Sequence, residues 1–226
     1  MMFLEINQVV KSYRSGGRKS PSRKVLNGVD LALEPGEIIG ITGDSGAGKT
    51  TLGLILAGIM RPDSGRVSFA GTDLWASNAT IRKSISRRLQ IVFQHPESTF
   101  DPQWTIHQSL SEPFILCGVM PDLSILADHL AEVELNSEIL ERHPRQLSGG
   151  ELQRIAIARI MALNPKVVVL DEPTAMLDAL TQARILNLLE RIRQRTDAAY
   201  VLISHDTDMV NRFCQRIHRL SDGRLE

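Results

Sequence analysis

Residues 43–50 read Gly43-Asp44-Ser45-Gly46-Ala47-Gly48-Lys49-Thr50 and match the pattern Gly-x-x-x-x-Gly-Lys-Thr at every fixed position. This pattern is typical of a phosphate-binding loop, because its glycines let successive backbone N–H groups turn inward onto phosphate oxygens. Lys49 can reach the β- and γ-phosphates of a nucleotide, and the Thr50 hydroxyl can ligate Mg²⁺. The sequence therefore predicts a nucleotide site at this loop.

The segments on either side predict the strand and the helix that such a loop requires. The short apolar run 38–42 indicates a buried strand, and 51–57 indicates a helix whose N-terminus faces the phosphates and favours anions. An accidental glycine-rich turn is the alternative, and the order of strand, loop and helix argues against it.

A second motif, Leu147-Ser148-Gly149-Gly150-Glu151-Leu152-Gln153-Arg154, lies downstream and opens a strongly helix-forming segment. Ser-Gly-Gly alone would more simply be a loop or a helix cap, but here it places free backbone N–H groups at a helix start. With both motifs in this order, the chain resembles a nucleotide-binding subunit of an ATP-binding cassette (ABC) transporter from about Leu4 to Leu225. The resemblance implies that Ser148, Gly149 and Gly150 act on ATP held by an opposing subunit.

The resemblance implies an α/β fold, a P-loop NTPase cassette with a mainly parallel core sheet, an antiparallel β edge subdomain and an inserted helical subdomain. We expect one nucleotide-binding domain over 1–226, with the insertion at about 95–145. Strand patterns disappear there, and prolines are expected to interrupt the helices at Pro96, Pro102, Pro113 and Pro121.

Further strands and a helix are predicted from apolar patterns. Continuous apolar runs at 167–170 and 200–203 predict buried parallel strands, and Ile185, Leu188, Leu189 and Ile192 have helical spacing. Near the N-terminus, 3–10 is expected to form an edge strand.

Asp171 and Glu172 follow the apolar run 167–170, at the strand end where ligand sites of open α/β sheets lie. The resemblance implies that Asp171 supports Mg²⁺ through a bound water and that Glu172 is the general base that orients the attacking water. An ordinary turn before Pro173 is the alternative.

Three single residues are assigned a role only because of their positions relative to these motifs. Gln94 matches the family's glutamine that touches Mg²⁺ and the water, and His205 matches the histidine that contacts the γ-phosphate. Tyr13 fits the family's aromatic residue that stacks on adenine, and an ordinary edge-strand aromatic is the alternative. The ATP-binding set implied is Tyr13, Gly43, Asp44, Ser45, Gly46, Ala47, Gly48, Lys49, Thr50, Thr51, Ser148, Gly149 and Gly150, with Thr50, Gln94 and Asp171 at the metal.

Composition narrows the function classes. Lys+Arg and Asp+Glu number 26 each, so net charge gives no case for nucleic acid. No apolar stretch approaches the roughly 20 residues that cross a bilayer, so a membrane role requires a partner protein. The two cysteines are expected to be reduced packing residues.

Residues 94–106 resemble the oligopeptide, dipeptide and nickel importers, and the end of the chain at Glu226 favours the nickel side. The partners implied are a second ABC ATPase subunit, identical or paralogous, transmembrane permeases and, indirectly, a solute-binding protein. The expected location is the cytoplasmic face of the inner membrane, through the permease. The resemblance implies a groove beside this segment that receives a permease helix, and Phe100 and Trp104 are expected to be exposed there. Packing inside the helical subdomain is the alternative for both residues, and for Trp104 the two roles are equally supported.

Two other function classes stay open on the sequence alone. One is a soluble ABC ATPase acting on ribosomes or DNA, which usually carries two cassettes or a long coiled-coil insertion. The other is an unrelated phosphate-loop kinase or GTPase, against which the segment at Ser148 argues.

Overall fold

The structure, a computed structural model, describes residues 3–14, 22–175 and 177–226. These residues form ten β-strands and seven α-helices. The strands are β1 Leu4–Arg14, β2 Ser22–Leu33, β3 Ile38–Thr42, β4 Ser64–Phe69, β5 Thr72–Asp73, β6 Leu89–Val92, β7 Val167–Asp171, β8 Ala199–Ile203, β9 Arg216–Ser221 and β10 Arg224–Leu225. The helices are α1 Lys49–Leu56, α2 Ala79–Arg88, α3 Ile106–Leu116, α4 Leu123–Glu132, α5 Gly149–Met161, α6 Ala179–Thr196 and α7 Thr207–Phe213.

One of the two sheets has six strands, in the order β10-β9-β3-β8-β7-β6. β3 pairs in parallel with β8 and with β9, and β7 pairs in parallel with β8. Every residue of β7 and β8 is buried, which explains why β8 and β7 as far as Leu170 are continuously apolar rather than alternating. The α/β fold with a mainly parallel core sheet is confirmed.

A second sheet is antiparallel, with the order β2-β1-β4-β5. β1 pairs with β2 along one side and with β4 along the other. The expectation of an edge strand at 3–10 is therefore wrong. Strand pairing depends on residues far apart in sequence, such as Leu4 opposite both Leu33 and Phe69, and a single strand's pattern does not reveal it.

The described residues divide into two compact units. The first unit lies within Met1–Ile91, Lys166–Glu172 and Asp197–Glu226, and it contains both sheets except Val92, the last residue of β6. The second lies within Val92–Pro165 and Pro173–Thr196, and its helices are α3, α4, α5 and α6. The expected insertion at about 95–145 falls in the second unit, and its status as a separate subdomain stays a prediction.

Three expectations about the second unit are wrong, and the first is that Cys117 is a packing residue, because Cys117 is exposed. α3 runs through Pro113 without interruption, and the proline is buried three residues after buried Leu110, on the same helical face. Phe100 is buried rather than exposed, and the guanidinium carbon of Arg159 lies 5.5 Å from the centre of its ring. Trp104, by contrast, is exposed as expected.

Within the part of the chain that the structure describes, no helix has the length and apolar character to cross a membrane.

Candidate functional site

The glycine-rich loop connects β3 to α1, as the sequence predicts. Gly48 caps the helix with φ of 105°, and the first turn of α1 contains no acidic residue. The loop is closed by a hydrogen bond from the Ala47 N–H to the Asp44 carbonyl, at 3.1 Å. The helix start therefore presents its positive dipole end without a carboxylate of its own first turn to neutralise it.

Two loop glycines are required by close packing as well as by backbone conformation. A Cβ atom on Gly43, where φ is 146°, would lie 2.4 Å from the Leu220 carbonyl oxygen. A Cβ on Gly48 would lie 2.5 Å from Val25 Cγ1. Neither position has space for a side chain, so the loop is held against neighbouring strands in a form that only glycine adopts. These contacts fit a backbone cradle for phosphates.

Lys49 is positioned over the loop that precedes it. Its ammonium Nζ donates hydrogen bonds to the Gly43 carbonyl at 2.8 Å and to the Asp44 carbonyl at 3.0 Å. The positive charge is thus fixed at the mouth of the loop by the backbone. This placement fits the expected contact with nucleotide phosphates.

Asp171 ends β7 and is only 5% exposed. Burial raises the pKa of its carboxyl above the ordinary value, and the nearby Glu172 charge acts in the same direction. A hydrogen bond with the Thr50 side chain and the Lys49 charge oppose that rise. The structure therefore brings Thr50 and Asp171, two of the predicted metal residues, into direct contact. A hydroxyl and a carboxylate are oxygen ligands that suit Mg²⁺, which also keeps waters and phosphate oxygens.

Glu172 lies at the same strand end and is held by the end of β8. Its Oε1 accepts hydrogen bonds from the His205 backbone N–H at 3.0 Å and from His205 Nδ1 at 2.8 Å, and its Oε2 accepts from the Ser204 hydroxyl at 3.2 Å. The structure thus brings the predicted base and the predicted histidine together. Ser204 is a partner that sequence reasoning missed, because a serine beside a histidine gives no signal of its own.

Tyr13 lies near the end of β1, with 41% of its surface exposed. Its hydroxyl is 3.2 Å from the Thr51 hydroxyl oxygen and 3.2 Å from Met60 Sδ. The hydroxyl is therefore anchored beside the start of α1 while the residue stays accessible to solvent. This arrangement suits a stacking platform and also places Thr51 next to it.

The remaining predicted residues lie in the second unit. Gln94 follows β6 in a half-buried bend. Ser148 caps α5, and its hydroxyl accepts from the Glu151 N–H at 3.3 Å, while Glu151 Oε2 accepts from the Ser148 N–H at 2.8 Å. A Cβ on Gly150 would lie 2.9 Å from Thr181 Cγ2, so close packing against α6 requires a glycine there.

Comparison with known proteins points to one family. Residues 26–175 match the family model described as ABC transporter. The chain is 44% identical to the nickel import ATP-binding protein NikE of Pseudomonas putida, an alignment that covers 100% of this chain and 84% of that protein. It is 36% identical to the protein of the same name from Escherichia coli, with 100% and 86% covered.

Solved structures with the same fold are also ATP-binding cassettes. The dimeric post-hydrolysis state of the cassette MJ0796 bound to ADP and Pi superposes with a TM-score of 0.87, at 30% identity, covering 99% of this chain and 96% of that chain. The cbiO1 protein of Clostridium perfringens, part of the ABC transporter complex cbiONQ, gives a TM-score of 0.81 at 27% identity, covering 100% and 87%.

Proposed function

Because this chain belongs to the ABC transporter family, whose members hydrolyse ATP, we propose that it is the subunit that energises a membrane importer for nickel ions or small nickel chelates. The support for nickel is that relatives named as nickel import proteins align with the whole chain at 44% and 36% identity. The alternative of an ATPase acting on ribosomes or DNA has no comparable support.

ATP is proposed to bind with its phosphates on the loop 43–50 and its adenine on Tyr13. The fixed Lys49 ammonium offsets phosphate charge, and the glycines at 43 and 48 keep the backbone close to the ligand. Thr50, Asp171 and Gln94 would hold Mg²⁺, which supplies charge neutralisation on the phosphates when bound. The contact between Thr50 and Asp171 supports this assignment.

Glu172 is proposed to be the general base that orients the attacking water, with His205 beside it at the γ-phosphate. Phosphoryl transfer depends mainly on positioning and charge stabilisation. Three hydrogen bonds from Ser204 and His205 hold the Glu172 carboxylate in one orientation. That arrangement supports a fixed base rather than a mobile surface carboxylate.

The complete site is proposed to form between two chains arranged head to tail, with ATP on the loop of one chain and the Ser148-Gly149-Gly150 helix start of the other. The dimeric structure of the similar cassette MJ0796 supports a dimer here. The second chain is either identical or a paralogue.

Permease docking is proposed at an apolar groove of the second unit. The groove has a volume of about 490 Å³, and its lining includes Trp104, His107, Ile115, Leu116 and Met120. Four of the lining side chains are apolar and exposed, namely Trp104, Ile115, Leu116 and Met120. A short amphipathic helix on the cytoplasmic side of the permease would desolvate them on docking. The protein would then be peripheral at the inner face of the membrane, with a solute-binding protein delivering the solute.

The function is tested by removing the gene from its host and restoring either the wild-type protein or Lys49→Ala. Wild type is expected to restore uptake of radiolabelled nickel but not of labelled dipeptide. Lys49→Ala is expected to restore uptake of neither nickel nor dipeptide. Calorimetry on the purified Lys49→Ala variant should show greatly weakened ATP binding. Restored dipeptide uptake without nickel uptake would overturn the choice of solute, and unchanged ATP affinity in Lys49→Ala would overturn the nucleotide site.

A further inference from the structure

The Ser204 side chain is enclosed at the end of β8, where it is only 1% exposed. Its hydroxyl oxygen accepts a hydrogen bond from the Asp206 backbone N–H at 3.1 Å. The same oxygen lies 3.2 Å from Glu172 Oε2. The hydroxyl therefore lies between a backbone donor and the carboxylate of Glu172, the proposed general base.

The chemistry of these partners fixes the direction of the hydroxyl hydrogen. A backbone N–H can only donate, and an ionised carboxylate can only accept. The hydrogen of Ser204 must therefore point to Glu172. Because the hydroxyl is buried, water has no ready access to replace it, and the carboxylate keeps this bond as long as β8 keeps its end conformation.

The backbone of Glu172 is also unusual. Its φ is 50°, a left-handed conformation that is uncommon for residues other than glycine, asparagine and aspartate. Of its other partners, the side chain of His205 is 71% exposed and is accessible to solvent and substrate. Ser204 is the partner whose side chain is shielded from both.

We propose that Ser204 is a positioning residue that holds the Glu172 carboxylate in the orientation required to direct the attacking water. This inference rests on the proposed role of Glu172 in ATP hydrolysis. Because Ser204 is buried, its role is to act through Glu172 rather than on the substrate directly. Its effect is on the rate of the chemical step, since an ångström-scale misplacement of a catalytic group costs up to about 10²-fold in rate.

The experiment compares Ser204→Ala and Ser204→Thr in the assembled transporter. Ser204→Ala is expected to lower kcat roughly 10- to 100-fold, with the KM for ATP and the calorimetric ATP affinity unchanged. Ser204→Thr keeps the hydroxyl and is expected to restore most of kcat. Ser109→Ala is the matched control, because Ser109 is also 1% exposed but its hydroxyl has no hydrogen-bond partner among the residues that the structure describes.

A double variant separates this inference from the function on which it rests. Ser204→Ala should add no further loss in a Glu172→Gln background, because Ser204 acts through Glu172. Normal kcat in Ser204→Ala, or a fully additive loss in the double variant, would overturn the positioning role while leaving Glu172 as the base. Normal hydrolysis in Glu172→Gln alone would instead overturn the proposed role of Glu172.

Discussion

His205 Nδ1 and Glu172 Oε1 lie 2.8 Å apart, and the His205 backbone N–H donates to the same oxygen at 3.0 Å. An ionised carboxylate accepts hydrogen bonds only, so the contact is satisfied when Nδ1 carries the hydrogen. One residue thus contacts the carboxylate through both its main chain and its ring. The proposed base and the proposed phosphate-sensing histidine are a single hydrogen-bonded group.

Replacing Glu172 by glutamine should separate ATP binding from hydrolysis. The amide keeps the size of the side chain but cannot accept a proton from water. We expect Glu172→Gln to retain ATP affinity, to slow hydrolysis by roughly 10²-fold or more, and to accumulate as an ATP-bound dimer. Calorimetry, phosphate release and gel filtration with ATP measure the three effects. Near-normal turnover in the assembled transporter would rule out Glu172 as the base.

Introducing arginine at Ser148 tests the site proposed between two chains. Ser148 caps the N-terminus of α5, so a long cation there would obstruct a nucleotide approaching the helix start. We expect Ser148→Arg to leave ATP binding by the isolated chain largely intact and to abolish hydrolysis in the complex. Ser148→Ala is the control, since it loses the helix cap, at a cost of about 1 kcal/mol, without adding bulk. Normal hydrolysis by Ser148→Arg would contradict the composite site.

The capping box at α5 should make stability depend on pH through Glu151. The hydrogen bond from the Ser148 hydroxyl, followed by that from its backbone N–H, lowers the pKa of the Glu151 carboxyl. A lowered folded-state pKa gives stability that is present above the unfolded pKa and is lost as pH falls through the folded value. We expect Glu151→Ala to lower the free energy of unfolding by about 1 kcal/mol at pH 7, and by less as the pH falls below about 4.

Urea unfolding at pH 7 and at a pH below 4 measures the Glu151 effect. Glu141→Ala, at an exposed carboxylate, serves as the control for loss of a negative charge. A difference between Glu151→Ala and wild type that stays constant with pH would show that the Glu151 charge contributes nothing to the cap.

Phe100 and Trp104 should respond in opposite ways to truncation. Phe100 is buried under Arg159, so Phe100→Ala is expected to lower the free energy of unfolding by about 3 kcal/mol or more. Trp104→Ala should change stability little but should reduce the solute transported per ATP hydrolysed, because Trp104 lines the proposed docking groove. Denaturant titration and transport in proteoliposomes measure the two. Comparable destabilisation by both variants would contradict the docking role.

Cross-linking locates the docking groove directly. A cysteine at Trp104 is expected to cross-link to the permease's cytoplasmic loops during turnover, and a control cysteine at the exposed Asp128 is not. The exposed Cys117 must first be replaced by serine. Cys214 can stay, because burial raises the pKa of its thiol to about 12 and leaves little thiolate to react. Reaction at 128 but not at 104 would move the docking site.

The sequence predicts best those parts that local pattern determines. The structure confirms the strands at 167–170 and 200–203 and the four apolar positions of α6. Burial on both faces of a sheet, or on one face of a helix, produces an apolar pattern within a few consecutive residues of the sequence. The loop at 43–50 follows the predicted strand and opens the predicted helix.

Features that depend on distant residues could not be predicted. Phe100 is covered by Arg159, which lies 59 residues further along the chain (159 − 100). A local sequence pattern does not predict such a contact. Pro113 remains helical because its missing N–H is offset by burial of the ring. The hydrogen bond from Ser204 to Glu172 joins the ends of two adjacent strands, and a serine there looks like any polar strand terminus.

The left-handed backbone at Glu172 has a consequence for engineering this protein. Alanine is normally the better residue for stability, and glycine the worse, but at a φ of 50° the order reverses. Among variants that lack the carboxylate, glycine should be more stable than alanine by about 1 kcal/mol. A library selected for thermal tolerance alone would therefore accept glycine at this position and lose turnover, so stability screens of this chain need a parallel selection for uptake.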